Sequence, residues 1–295
     1  MLLQIEKLHP LFGADVGNID LSKPIDHAGI DAIQAALDKY AVLIFHGPKL
    51  TEETQISFAE RFGPLEGQNG VLATNVAARV SRKLVDISNL DEKNDVLGVQ
   101  DRRRMFALGN QLWHTDSSFK KTPAKYSLLH AHTVTPEGGE TQFVDTRAAY
   151  DALPQKMRAR IDALQAEHSI FVSRAKLGFT EFSEEERRAN PPVHRSLVRV
   201  HPGSGRKALY LASHASHIVG QPVPDGRMLI HELMEHATQP QFIHTHKWVP
   251  GDLVIWDNRC TLHRGRPYDE VNNRRDMRRA TISDLDPAVQ DQRAA

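Results

Sequence analysis

Short apolar runs of strand length recur from Tyr126 onward, at Tyr126–Thr133, Glu140–Val144, Ser196–Val200, Ala208–Ala212, Leu253–Trp256 and Arg279–Ile282. Turn signals such as Pro136-Glu137-Gly138-Gly139 and Pro202-Gly203-Ser204-Gly205 separate them, which predicts a mainly β fold of many short strands. Helical patterns flank or interrupt this series. Asp31–Tyr40 carries apolar residues at helical spacing, and a second helix runs from an N-cap at Thr51 to about Arg61. A third spans Thr146 to about Ala166 with a kink or break at Pro154, and a fourth runs from about Asp225 to Ala237. Ala41–Phe45 reads as a buried strand ended by His46-Gly47-Pro48. This order suits a jelly-roll sandwich with helices added outside. The polar stretch Gly67–Arg104 has no clear period, which is the pattern of an active-site loop or lid. No repeat or linker divides the chain, so residues 1–295 read as one domain.

Charge narrows the partners. Lys plus Arg and Asp plus Glu both total 37, leaving no overall field to favour nucleic acid or an anionic membrane surface. The opening run Met1–Ile5 meets Glu6 and Lys7 before it reaches signal-peptide length, and no later stretch approaches a membrane span, so a soluble, cytoplasmic protein is expected. The single cysteine, Cys260, can form neither an internal disulfide nor a thiolate metal cage. Any metal would therefore be held by carboxylates and some of the 16 histidines.

Trp113-His114-Thr115-Asp116-Ser117-Ser118-Phe119 places an imidazole and a carboxylate two residues apart, on one face if the segment is extended. His263 is the best third ligand, as it ends the apolar strand Leu253–Trp256 and its short extension. Two histidines and one carboxylate on one face of an octahedron leave three positions open, as in Fe(II) oxygenases. Beyond them, strand alternation in Arg274–Thr281 puts Arg275, Met277, Arg279 and Thr281 on one face and Arg274, Asp276 and Arg278 on the other. Two inward arginines beside a metal call for two anions.

The chain resembles the taurine and 2,4-dichlorophenoxyacetate dioxygenase family, the phenoxyacetate branch above all. The resemblance rests on Gly13–Leu21, Phe62–Glu66, Gln111–Phe119, Gly138–Thr141, Ala148–Leu153, Trp256–Arg259 and Arg279–Thr281. It implies a cupin-like double-stranded β-helix core, a homo-oligomer, and catalysis by Fe(II) with 2-oxoglutarate and O2 as co-substrates. By similarity, His114, Asp116 and His263 would bind iron. Arg275 would hold the far carboxylate of 2-oxoglutarate with help from Thr141. Arg279 would bind a small anionic substrate such as an aryloxyalkanoate, with Asn110 and His217 as further substrate contacts. A same-family dioxygenase of alkylsulfonates or sulfate esters is the alternative that Arg279 also accommodates. A cupin-like zinc hydrolase or binding protein explains the two histidines and the aspartate but not the paired arginines.

Other motifs are expected to be structural. His231 and His236 are five apart on a helix and diverge by about 140°, unlike zinc-protease ligands four apart. His244-Thr245-His246 lacks a nearby third ligand, and Gly203-Ser204-Gly205 reads as a hairpin turn. His214 is a candidate for the pocket edge, and Cys260 for an inert buried thiol.

Overall fold

The computed structural model describes residues 3–67 and 79–286. Part of the expected lid, residues 68–78, lies outside the described residues.

Val42–Phe45 and Leu253–Asp257 are almost wholly apolar, as strands are when both faces are covered. They pair at the centre of a seven-stranded sheet. Its order is Gln4–Lys7, Ala14–Gly17, Val42–Phe45, Leu253–Asp257, Ala124–Thr133, Asp276–Ser283 and Val85–Asp86. Only Ala14–Gly17 against Val42–Phe45 is parallel. Ile243–His246, Thr141–Asp145 and Thr261–Gly265 form a smaller antiparallel sheet. The two sheets face each other: Phe143 of the smaller sheet clusters with Val42, Ile44, Leu129, Ala131, Val254, Trp256 and Met277 of the larger.

Helices cover both outer faces, as a two-sheet core with apolar backs requires. His27–Tyr40, capped by Asp26, lays Ile30, Ile33 and Leu37 over Leu43, Phe45, Leu128, Leu253 and Ile255. Glu52–Glu60 joins it, with Thr51 and Thr54 in a reciprocal capping box. On the far side, Val223–Ala237 packs Leu229, Ile230 and Leu233 with Val144 and Leu262 of the smaller sheet. No helix among the described residues is long and apolar enough to cross a membrane.

The helix expected over Thr146–Ala166 is two helices, Thr146–Asp151 and Gln155–Ile161, parted at Pro154, and the chain is already a strand at Gln165–His168. Ser196–Val200 is divided between Val193–Ser196 and Val198–Val200, which pair with different neighbours. The described part of Gly67–Arg104 is not simply a loop: Leu84 is fully buried and Val85–Asp86 extends the large sheet. Gln4–Lys7, Ala14–Gly17, Ala215–Ile218 and Ile243–His246 are strands that apolar runs did not announce. Backbone pairing across the sheet, rather than side-chain pattern, makes them strands.

Candidate metal centre and co-substrate cavity

His114 and His263 come together through the backbone. The His114 N–H donates to the His263 carbonyl at 3.0 Å, and the His263 N–H donates back at 2.9 Å. Their rings lie 4.2 Å apart. His263 does not end the strand Leu253–Asp257. It lies in the next strand, Thr261–Gly265, which a tight turn carries into the smaller sheet. Thr115 pins the opposite segment by donating its hydroxyl to the carbonyls of Thr261 and Leu211. Asp116 then crosses toward the larger sheet, where its Oδ2 accepts from Ser127 Oγ at 2.7 Å. Asn258 donates to that same Ser127 oxygen at 2.9 Å and accepts from the Asp116 N–H at 3.2 Å. Ser117, at φ 53°, turns the chain away immediately afterwards.

The three side chains thus converge between the sheets. His114 Nε2 lies 3.8 Å from Asp116 Oδ1 and His263 Nε2 lies 3.6 Å from Asp116 Oδ2. One ligand atom from each falls within 4.8 Å of the others, and all three residues are buried. Burial lowers the pKa of both imidazoles, leaving them neutral. The Leu112 carbonyl lies 2.8 Å from His114 Nδ1 and can only accept, so the proton sits there and Nε2 keeps its lone pair. Burial alone would raise the Asp116 carboxyl, but the Arg279 guanidinium and the Ser127 hydroxyl hold it down at about 2. Two neutral imidazoles and one ionised carboxylate are the donor set that Fe(II) takes, with positions left for co-substrate and oxygen.

A cavity opens from His114 and His263, and Asn110, Thr141, Arg275 and Arg279 all line it. Arg279 donates to Asp116 Oδ1 at 2.5 Å. Arg275 is enclosed, and no carboxylate among the described residues pairs with it. Its guanidinium meets only the carbonyls of Ile87 and Gly139, both at 3.4 Å, and the Tyr268 ring at 5.7 Å. Burial lowers its pKa, the mark of a charge short of compensation. Arg278, on the other face, pairs with Glu52, and Arg274 is exposed, so the alternation expected along this strand holds. Gly138 and Gly139, both at positive φ, let the turn before Thr141 close on this wall: a Cβ on Gly138 would sit 2.4 Å from the Pro267 carbonyl.

His217 is not brought to the cavity. It lies on Ala215–Ile218, beside Ser216 and Glu167. His214 stands behind the site, its ring 6.2 Å from that of His114 and its Nδ1 2.9 Å from Ser173 Oγ. The remaining motifs are structural: His231 is exposed on its helix while His236 meets the Ala149 carbonyl, and His246 lies 3.1 Å from Asp252. Gly203-Ser204-Gly205 turns the hairpin Val198–Val200 to Lys207–Leu209, and Cys260 is buried with its pKa pushed up.

Sequence reasoning missed Ser127, Asn258, Asn89, Tyr268 and the Arg104–Glu270 ion pair at 3.1 Å on the cavity wall. Ser127 had a signal, a lone hydroxyl in the apolar run Tyr126-Ser127-Leu128-Leu129.

Residues 4–281 match the family described as taurine catabolism dioxygenase TauD, TfdA family. The chain belongs to this family. That makes it a 2-oxoglutarate-dependent, non-haem iron dioxygenase using Fe(II) and O2. It is 49% identical to the alpha-ketoglutarate-dependent 2,4-dichlorophenoxyacetate dioxygenase of Cupriavidus pinatubonensis, over 96% of this chain and 97% of that protein. It is 38% identical to the (S)-phenoxypropionate/alpha-ketoglutarate-dioxygenase of Sphingobium herbicidovorans, over 92% and 91%. A crystal structure of AAD-2 in complex with Mn(II) and N-oxalylglycine superposes with a TM-score of 0.95 at 47% identity, covering 98% of this chain and all of that one.

Proposed function

We propose that this TauD/TfdA-family enzyme hydroxylates a small aryloxyalkanoate such as 2,4-dichlorophenoxyacetate, and that His114, Asp116 and His263 bind its iron. The observation that carries the reading is Arg275, a buried cation without a carboxylate partner among the described residues, lining the same cavity as His114 and His263. A zinc hydrolase has no use for it. The far carboxylate of 2-oxoglutarate supplies the missing anion bidentately, with the Thr141 hydroxyl beside it. Thr141 is oriented for this by the Trp248 Nε1–H, which donates to its Oγ1 at 2.9 Å.

Bound iron would supply the oxidant from O2 as 2-oxoglutarate is decarboxylated to succinate and CO2. The chain's own work is placement. Arg279 exchanges its bond to Asp116 for the substrate carboxylate, and Asn110 borders the same space. Leu129 and Trp256 give the cavity a dry side. Ile87, Ser88 and Asn89 line it too, which makes part of Gly67–Arg104 active-site wall. Hydroxylation of the ether-bearing carbon yields a hemiacetal that falls apart to a phenol and glyoxylate.

Succinate and phenol release measured in parallel test the assignment. Arg279→Ala should lower kcat/KM for phenol release by about two to four powers of ten, the effect of leaving one charge of a partly buried pair alone. Succinate release without substrate should largely persist. Unchanged phenol release, or equal turnover of the methyl ester, would remove Arg279 from substrate binding.

A further inference from the structure

A second cleft lies behind the metal centre, of about 620 Å³, between Ile170–Ala175, Ala215–Ile218 and the helix Val223–Ala237. This is the size range of small-molecule sites. Its walls are chiefly apolar, with Leu112, Trp113, Val172, Ile230 and Met234 prominent. Its polar groups are almost all donors or cations. Lys176 Nζ donates to the Ser213 carbonyl at 2.9 Å and has no carboxylate within ion-pair distance among the described residues. Arg227, exposed on the facing helix, likewise pairs with no carboxylate among the described residues.

An apolar slot rimmed by two exposed cations that have no carboxylate partner among the described residues is complementary to one kind of small molecule. We propose that this cleft is a second, non-catalytic binding site for an amphipathic organic anion, with the apolar body on Trp113, Ile230 and Met234 and the acidic head between Lys176 and Arg227. An uncharged apolar molecule would gain nothing from the cations at the rim, and a simple inorganic anion would leave the apolar walls wet. The floor of the cleft is the segment that carries His114. The Leu112 carbonyl accepts from His114 Nδ1, and the Trp113 carbonyl accepts from the Ser213 N–H at 2.8 Å. An occupant therefore touches the two residues that precede a site histidine without entering the catalytic cavity.

The probe is 8-anilinonaphthalene-1-sulfonate, an aromatic ring system with one anionic head, titrated by fluorescence into the full chain loaded with Mn(II) and saturated with N-oxalylglycine. One equivalent should bind. Lys176→Glu with Arg227→Glu should weaken binding by roughly tenfold or more, since each partly exposed charge contributes a few-fold and reversal doubles the effect. Met234→Trp, which fills the slot, should abolish binding, while both variants retain turnover. Uncharged 1-anilinonaphthalene should bind much more weakly. Competition then distinguishes the sources of the natural anion: displacement by 2,4-dichlorophenoxyacetate or its phenolate points to the enzyme's own reaction, displacement by octanoate to a fatty acid. Equal binding of the uncharged probe, insensitivity to the charge reversals, or a sedimenting dimer that loses the probe site on association would overturn the proposal, the last by making the cleft an interface between copies.

Discussion

Replacing Arg275 with methionine should make the ligand-free protein more stable and the enzyme nearly useless. The guanidinium is enclosed, its best acceptors are two carbonyls at 3.4 Å, and no described carboxylate pairs with it. A residue in that position holds an incompletely compensated charge. A linear apolar side chain of similar length relieves about 1–4 kcal/mol and leaves the backbone bond to Asn89 intact. For a chain of this size that raises Tm by roughly 2–8 °C. With 2-oxoglutarate and Mn(II) the gap should narrow, and the order should reverse where the relief is smaller than the linkage gain. At a hundred times Kd the wild type gains about 2.7 kcal/mol from linkage. The variant, having lost about 3–5 kcal/mol of 2-oxoglutarate binding, should gain almost nothing from that co-substrate at the same concentration. Thermal denaturation of both proteins with and without the ligand pair is sufficient. If Arg275→Met melts below the wild type when both are unliganded, or shifts equally on adding 2-oxoglutarate, the cation has a structural partner and the anion argument is wrong.

Three further outcomes follow from neighbouring contacts. Ser127→Ala removes the hydroxyl that joins Asp116 to Asn258 and should weaken divalent-metal affinity by about 10- to 100-fold in calorimetric titration, with little change in the circular dichroism spectrum. Gly138→Ala forces a Cβ against the Pro267 carbonyl at positive φ, so stability should fall by about 1–3 kcal/mol in urea titration, and more than for Gly178→Ala, where space is open. His168 is held neutral by burial, its pKa lowered to about 3. Because the unfolded form takes up a proton that the folded form refuses, stability should fall as pH drops below about 6.5, continuing toward 3, by about 1.4 kcal/mol per unit for this residue. His168→Gln should flatten that slope in acid-unfolding curves; an unchanged slope would mean that His168 is protonated in the fold.

Much of the site was legible because its chemistry is local in sequence. His114 and Asp116 lie two apart, and Arg275 and Arg279 share a strand face with a period of two, so residue type and spacing put them forward as candidates and the family resemblance singled them out. The same holds for the helix at Thr51, whose cap is a property of four consecutive residues. His217 failed for the converse reason: its segment resembles the phenoxyacetate branch, but whether a side chain faces the cavity depends on how Ala215–Ile218 pairs with Gln165–His168, and that pairing includes a register shift.

By itself, then, the sequence determined the strand and helix patterns that short apolar runs, caps and proline dictate, and the identities of the three candidate ligands and two arginines. Only the tertiary structure decided that His263 belongs to the smaller sheet, where two backbone hydrogen bonds to His114 bring the rings together. It also decided that Ser127 and Asn258 orient Asp116, and that Arg275 has no carboxylate partner among the described residues. Each of these depends on which groups from distant parts of the chain occupy the same low-dielectric space. A one-dimensional pattern records what a residue can offer, but burial and the presence or lack of a partner are set by residues elsewhere in the chain, such as Asn258, 142 positions from Asp116.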